Sequence, residues 1–152
     1  MKNLWKSDEA VDFPGDLGQR VYTSRLLGRD PALVLHGGGN TSVKTLEKNI
    51  FGDEEAVLQV KGSGGDLATI EAAGFSPCRM VHLLRLAELS SLADTRMAAE
   101  LRASMTRASA PAPSVEAILH ALLPAKYVDH THPDALIAVS NTPDGENLIR
   151  GI

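Results

Sequence analysis

The sequence is poor in the residues on which several classes of protein depend. A single cysteine, Cys78, cannot form an internal disulfide, and aromatic residues make up only 4% of the chain. Fifteen lysines and arginines stand against 19 acidic residues, for a formal net charge of −4, and the longest uninterrupted apolar run is residues 135–139. These shortages argue against a disulfide scaffold, a general nucleic-acid-binding protein and a membrane-spanning chain. We expect a cytoplasmic protein without a nucleic-acid or membrane partner.

What the sequence does contain is the composition of a folded domain. Hydrophobic residues make up 43% of the 152 residues and charged residues 22%, as in ordinary globular proteins. A chain of about 150 residues buries roughly 70% of its unfolded surface, enough for a substantial core. We therefore expect residues 1–152 to form a single domain.

Apolar spacing and turn residues predict a mixed order of helices and strands. Helices are predicted at residues 16–29, from 76 through 89 with an N-cap at Ser76-Pro77, at 94–107, at 115–123 after an N-cap at Ser114, and at 133–139. Strands are predicted at residues 33–35, 42–46, 56–61 and 127–131, the second and third of which form a hairpin. Early hairpin-linked strands followed by helices favour a layered α/β domain with antiparallel pairing.

Two histidines in the last predicted strand form a candidate metal site. His130 and His132 are two positions apart, so on a strand both imidazoles leave the same face. Neutral imidazole is a common zinc ligand, and catalytic zinc sites take three protein ligands and leave one position open. An H-x-H pair at a strand end can also be merely polar, and the pair alone does not decide between these readings.

Glu116 is the carboxylate that could complete this site. It lies in the first turn of the helix capped by Ser114, where a negative charge also simply stabilises the helix end. The connection from this helix to the H-x-H strand is short, so Glu116 is expected near the two histidines as a metal ligand or general base. His120 shares its helical face and is interpreted as a packed residue, with a ligand role as the alternative.

Two glycine clusters could bind an anion. The first, GGGNTS at residues 37–42, ends in hydrogen-bonding side chains, and the second, KGSGG at residues 61–65, adds a lysine and a serine. Glycine allows backbone N–H groups to approach an anion closely. Neither cluster matches the phosphate-binding P-loop or the G-x-G-x-x-G pattern, so a nucleotide-binding domain remains the weakest alternative.

Together and in this order, the motifs resemble the class II aldolase/adducin family. The marks are HGGGNTS at residues 36–42, VKGSGGD at 60–66, PSVE at 113–116 and HTHPDA at 130–135. The resemblance is strongest to the branch in which a rhamnulose-1-phosphate aldolase-like domain precedes a short-chain dehydrogenase domain. It implies a layered α/β/α domain around a central, largely antiparallel sheet, and the chain is expected to be a C-terminally truncated form of it.

The resemblance also implies roles for individual residues. His130 and His132 would bind zinc or another divalent metal, and Glu116 would be the catalytic acid/base. The substrate phosphate would be bound by a set of small and polar residues, Gly39, Asn40, Ser63, Gly64 and Ser114. The implied reaction is retro-aldol cleavage of a ketose 1-phosphate, such as rhamnulose or fuculose 1-phosphate, to dihydroxyacetone phosphate and an aldehyde. Family members form homo-oligomers, so a dimer or tetramer is expected.

Two departures from the family pattern keep a second interpretation open. Val115 stands where the family often has a hydroxyl residue, and no histidine follows His132 to match the family's third zinc ligand. The chain could therefore be inactive as an aldolase, and the alternative is a non-catalytic binding or assembly module of the adducin type.

Overall fold

The computed structural model describes residues 3–151 and has helices on an antiparallel sheet. The helices are α1 (Ser7–Ala10), α2 (Gly15–Gly28), α3 (Met80–Ala87), α4 (Asp94–Ala103), α5 (Ala117–Leu122), α6 (Asp134–Ser140) and α7 (Gly145–Arg150). The strands are β1 (Asn40–Lys48), β2 (Glu54–Lys61), β3 (Phe75–Arg79) and β4 (Tyr127–His130). Short 3-10 turns at Leu67–Thr69 and Ala72–Gly74 precede β3. This confirms the predicted mixed α/β class.

The sheet has the order β3-β2-β1-β4, and every neighbouring pair is antiparallel. The predicted hairpin is formed by β1 and β2, with Ser42 opposite Val60. On the other side of β1, the register with β4 places Asn40 directly opposite His130. The first residue of one strand and the last residue of the other therefore meet at one end of the sheet.

Two predicted elements are wrong. Residues 33–35 were expected to form a strand, but Leu33 and Val34 both donate their amides to the carbonyl of Asp30, which closes a turn after α2. Ser76-Pro77 was expected to begin a helix, but both residues lie in β3 and the helix begins at Met80. Proline lacks an amide hydrogen and is tolerated in an edge strand, and β3 is the edge of this sheet.

The apolar core lies on both sides of the sheet. One cluster joins β2 and β3 to α3, α4 and α5 and consists of Leu58, Val60, Cys78, Leu83, Leu101, Ala117 and Ala121. The other lies under α2 and consists of Val21, Val34, Leu67, Ile70 and Phe75. Helices on both faces of the sheet give the layered arrangement that was predicted. Within residues 3–151, none of the helices has the length and apolarity that a bilayer crossing requires.

A buried arginine connects α2 to the pairing of β1 with β4. Arg20 is 1% exposed, and its Nη2 lies 2.7 Å from Oδ1 of Asp129 and 2.6 Å from Oγ1 of Thr23. Its Nη1 donates to the carbonyl oxygens of Ser42 and Val128, each at 3.4 Å. Burial lowers the pKa of the guanidinium, and the carboxylate of Asp129 opposes this shift. One side chain thus contacts both strands at the end where the histidines emerge.

We expect Arg20→Met to destabilise the domain by about 2–4 kcal/mol, because it leaves Asp129 without its partner and two strand carbonyls without a donor. Urea unfolding followed by circular dichroism measures this loss. The matched control is Arg150→Met, which removes an exposed ion pair with Glu146 and should change stability by less than about 1 kcal/mol. Equal effects of the two substitutions would contradict the proposed importance of the buried arginine.

Candidate metal and anion site

The candidate residues meet where β1 begins, β4 ends and α5 begins. Asn40 opens β1 opposite His130, and Glu116 immediately precedes the first residue of α5. His132 follows β4, and its amide donates to the carbonyl of Leu33 at 2.8 Å. The structure therefore brings Glu116 and His130 together, with His132 beside His130.

Glu116 is held by three neighbouring side chains. Its Oε2 accepts hydrogen bonds from Nδ2 of Asn40 at 2.9 Å and from Oγ of Ser114 at 3.2 Å. Its Oε1 lies 2.9 Å from Nδ1 of His130, although the pair does not have hydrogen-bond geometry. Burial acts to raise the pKa of this carboxyl, but the bond from Asn40 and the adjacent His130 outweigh it and lower the pKa. Glu116 is therefore a carboxylate at neutral pH.

The two histidines of the H-x-H pair are neighbours. Their ring centroids are 4.7 Å apart with the planes at 62°, although His132 lies beyond the end of β4. His130 is half-buried and His132 is exposed. The first glycine loop packs beside His132, because a Cβ at Gly38 would lie 3.4 Å from its Nδ1.

His120 is completely buried in the same place. Its Nδ1 lies 2.8 Å from Oγ of Ser42, whereas its Nε2 has no hydrogen-bond partner. Ligand atoms of Glu116, His120 and His130 all lie within 4.8 Å of one another. Burial lowers the pKa of His120 to about 4, so its imidazole is neutral at pH 7.

The donor set fits a divalent metal ion. Buried polar atoms are almost always hydrogen-bonded, yet Nε2 of His120, Nδ1 of His130 and Oδ1 of Asn40 all lack a partner here. Two of these atoms are imidazole nitrogens, and the carboxylate of Glu116 contacts both Asn40 and His130. Imidazole and carboxylate are the ligands of catalytic zinc, so the residues present suit that ion.

The two glycine loops lie against each other at the edge of this site. A Cβ at Gly37 would lie 3.1 Å from the carbonyl oxygen of Gly64, so the loops are in backbone contact. Gly39 has a φ of +69°, and a Cβ there would lie 2.4 Å from Cγ1 of Val34, so only glycine fits. Gly64 also has a positive φ, but it faces open space.

The second loop is tied to the segment that carries Glu116. The amide of Ser63 donates to the carbonyl of Ala112 at 2.9 Å, and Gly62 forms a bridge with Pro113. The backbone amide of Ser63 is already hydrogen-bonded to Ala112, so only its exposed side chain is free to contact a ligand. The phosphate-binding set predicted from the sequence thus lies on loops that converge on Glu116.

Lys61 and His120 contribute more to this region than the sequence analysis indicated. Lys61 is 2% exposed, and its Nζ donates to the carbonyls of Gly37 and Gly62 at 3.3 and 3.4 Å, so a cation joins the two loops. Burial lowers its pKa, against the opposing effect of Glu116. His120 was interpreted as a packed residue, and its spacing one helical turn beyond Glu116 was the available signal for its place in the cluster.

Comparison with known proteins agrees with this geometry. The family described as the class II aldolase and adducin N-terminal domain matches residues 19–150. The solved N-terminal class II aldolase domain of a conserved protein from Thermoplasma acidophilum is 44% identical, with a TM-score of 0.88 over 99% of this chain and 69% of that one.

A curated relative is much longer than this chain. The uncharacterized oxidoreductase YuxG of Bacillus subtilis (strain 168) is 41% identical over 152 residues, which are 100% of this chain and 22% of that protein. The chain thus spans less than a quarter of this relative's length. With the family match, the fold and the converging motifs in agreement, the chain belongs to the class II aldolase and adducin N-terminal domain family.

Proposed function

We propose that this domain performs metal-dependent retro-aldol cleavage of a ketose 1-phosphate, such as rhamnulose or fuculose 1-phosphate, to dihydroxyacetone phosphate and an aldehyde. The observation that carries the proposal is the convergence of Glu116 and His130 beside two touching glycine loops. A carboxylate, imidazoles and an anion-binding loop are the groups that cleavage of a sugar phosphate requires.

His130 and His132 would hold the divalent metal, zinc being the ion that best suits the donor set. When bound, the metal offsets the negative charge that develops on the substrate oxygens. The neighbouring rings of the two histidines and the half-exposed position of His130 support this assignment. The exposed side of His132 leaves room for a substrate to approach.

Glu116 would move the proton. In retro-aldol cleavage a hydroxyl loses its proton, the adjacent carbon–carbon bond breaks, and its electron pair passes to the dihydroxyacetone phosphate half, which later takes up a proton. Glu116 is ionised and oriented, because Asn40 and Ser114 both donate to its Oε2. Its other oxygen, Oε1, points toward His130 and is the atom that would exchange the proton.

The phosphate would be bound at the glycine loops by Gly39, Asn40, Ser63, Gly64 and Ser114. Open backbone at Gly64 and an exposed hydroxyl at Ser63 support this placing. The buried ammonium of Lys61 between the loops adds positive charge beneath them. Small-molecule sugar phosphates are accordingly the partners we propose.

A second candidate is a non-catalytic assembly module, and one observation favours it. The outer face of α5 and its flanks exposes Val115, Leu119, Leu122 and Leu123 by 58%, 53%, 56% and 41%. These side chains form an apolar stripe beside Glu116, and such stripes often mark association surfaces. The same stripe supports a homo-oligomer, a dimer or tetramer, in either case.

We expect the chain to bind zinc, and the double substitution His130→Ala with His132→Ala to weaken binding by at least about 100-fold, since removing even an outer partner of a metal ligand costs 10–100-fold. Calorimetric titration with zinc against a competing chelator measures the affinity. His82→Ala is the control, because His82 lies on α3 beside Glu100. Zinc binding that survives the double substitution would refute the metal assignment.

We expect Ser63→Ala to raise the KM for rhamnulose or fuculose 1-phosphate about tenfold and to leave kcat nearly unchanged, because a lost hydrogen bond to a charged group weakens binding by about 1.5 kcal/mol. Release of dihydroxyacetone phosphate in a coupled assay with added zinc is the measurement. Ser90→Ala, in the exposed turn after α3, is the control. Absence of cleavage by the unmodified chain would favour the assembly module instead.

A further inference from the structure

A cavity of about 260 Å³ lies between the N-terminal segment and α2, outside the site assigned to the proposed function. Asp129 of β4 forms part of its wall, and because side chains alternate along a strand, this carboxylate leaves the face opposite that of His130. The cavity is therefore on the α2 side of the sheet, whereas the candidate metal site is on the α5 side. Its apolar lining consists of Leu4, Trp5, Leu26, Leu27 and Leu33.

Trp5 is the aromatic residue of this lining and the only tryptophan of the chain. It is 42% exposed, yet its ring is held in place. Its Nε1 donates to Oγ of Ser7 at 3.2 Å, and its ring meets that of Tyr22 edge to face with the centroids 5.1 Å apart. An indole that is held by its neighbours and borders open space is typical of the lining of a small-molecule site.

The charge of the cavity wall has one sign. Among residues 3–151, the charged side chains that line the cavity are those of Asp30 and Asp129, with no basic residue. Asp129 is already paired with Arg20, whereas Asp30 has no ion pair with a basic side chain in the same part of the chain. Oδ1 of Asp30 accepts a hydrogen bond from the amide of Ala32 at 3.0 Å, which leaves Oδ2 to contact a ligand. A carboxylate at an apolar cavity attracts a cation and repels an anion.

We propose that this cavity binds a small organic cation, in which an ammonium group is attached to an apolar body. The ammonium group would pair with the carboxylate of Asp30, and the apolar body would pack against Trp5 and the leucines. The indole favours a cation further, because an aromatic ring attracts positive charge to its face. The volume is just below that of sites for drug-sized ligands, so it suits a fragment-sized molecule. The proposal needs neither the metal nor the sugar phosphate and is independent of the proposed function.

The test uses the fluorescence of Trp5, which reports on the cavity alone because the chain has no other tryptophan. The whole chain is titrated with phenethylamine, which is protonated at pH 7, and with two ligands of similar size, the neutral 2-phenylethanol and the anionic 3-phenylpropanoate. We expect a saturable change in emission with the amine. The alcohol should bind at least about tenfold more weakly, since it lacks the bond between two charged groups, and the anion should give no saturable change.

Asp30→Asn tests the carboxylate itself. The asparagine Oδ1 can still accept the amide of Ala32, so this substitution removes the charge and keeps the turn. We expect the affinity for the amine to fall at least about tenfold and the affinity for the alcohol to stay unchanged. Asp53→Asn, which changes an exposed acid in the turn between β1 and β2, is the matched control.

Three outcomes would overturn the proposal. They are the absence of a saturable change with the amine, equal affinities for the amine and the alcohol, and an unchanged amine affinity in a folded Asp30→Asn. If Asp30→Asn does not fold, the comparison of the three ligands on the unsubstituted chain decides alone.

Discussion

The antiparallel pairing of β1 with β4 is the constraint from which the site follows. Its register puts Asn40 opposite His130, and only this alignment lets Asn40 reach Glu116 while His130 approaches the same carboxylate from the other side. Arg20 stabilises the pairing from beneath, since one guanidinium bonds to a carbonyl of each strand and to Asp129. A shift of one residue would turn every side chain of β4 to the opposite face.

The side chains of the first three residues of β1 point alternately to the two faces of the sheet and contact a different helical layer on each. Alternation sends Asn40 and Ser42 to one face and Thr41 to the other. Asn40 donates to Glu116 and Ser42 contacts His120, both on the α5 side, whereas Thr41 contacts Ser24 of α2 at 2.8 Å. Asn40, Thr41 and Ser42 are therefore buried strand residues whose side chains bond to neighbouring segments on both faces of the sheet. They do not form a loop in which every residue contacts a ligand.

Sequence reasoning predicted the sheet, the hairpin and the proximity of Glu116 to His130, because periodicity and short connections are local signals. The sequence-based prediction failed where the structure of a segment depends on a partner far away in the sequence. Ser76-Pro77 matches the sequence pattern of a helix N-terminus, but this segment pairs with β2 and forms an edge strand. The Arg20–Asp129 pair and the contact between Ser42 and His120 join residues far apart in the chain, and no spacing rule reveals such pairs.

The energetics of the site floor distinguish a binding site from a polar core. Each buried polar atom without a partner destabilises the fold by about 1–3 kcal/mol, and three such atoms, on Asn40, His120 and His130, lie around one carboxylate. A core selected only for stability would have replaced them with apolar side chains, which is often neutral or favourable. Their clustering at the end of the sheet, near the glycine loops, supports the proposed ligand site. A cation would be attracted by the carboxylate of Glu116 and bound by the imidazole of His130, whereas an anion would be repelled by Glu116. The floor of the site is thus suited to a metal ion, and the glycine loops that we propose bind the phosphate lie at its edge.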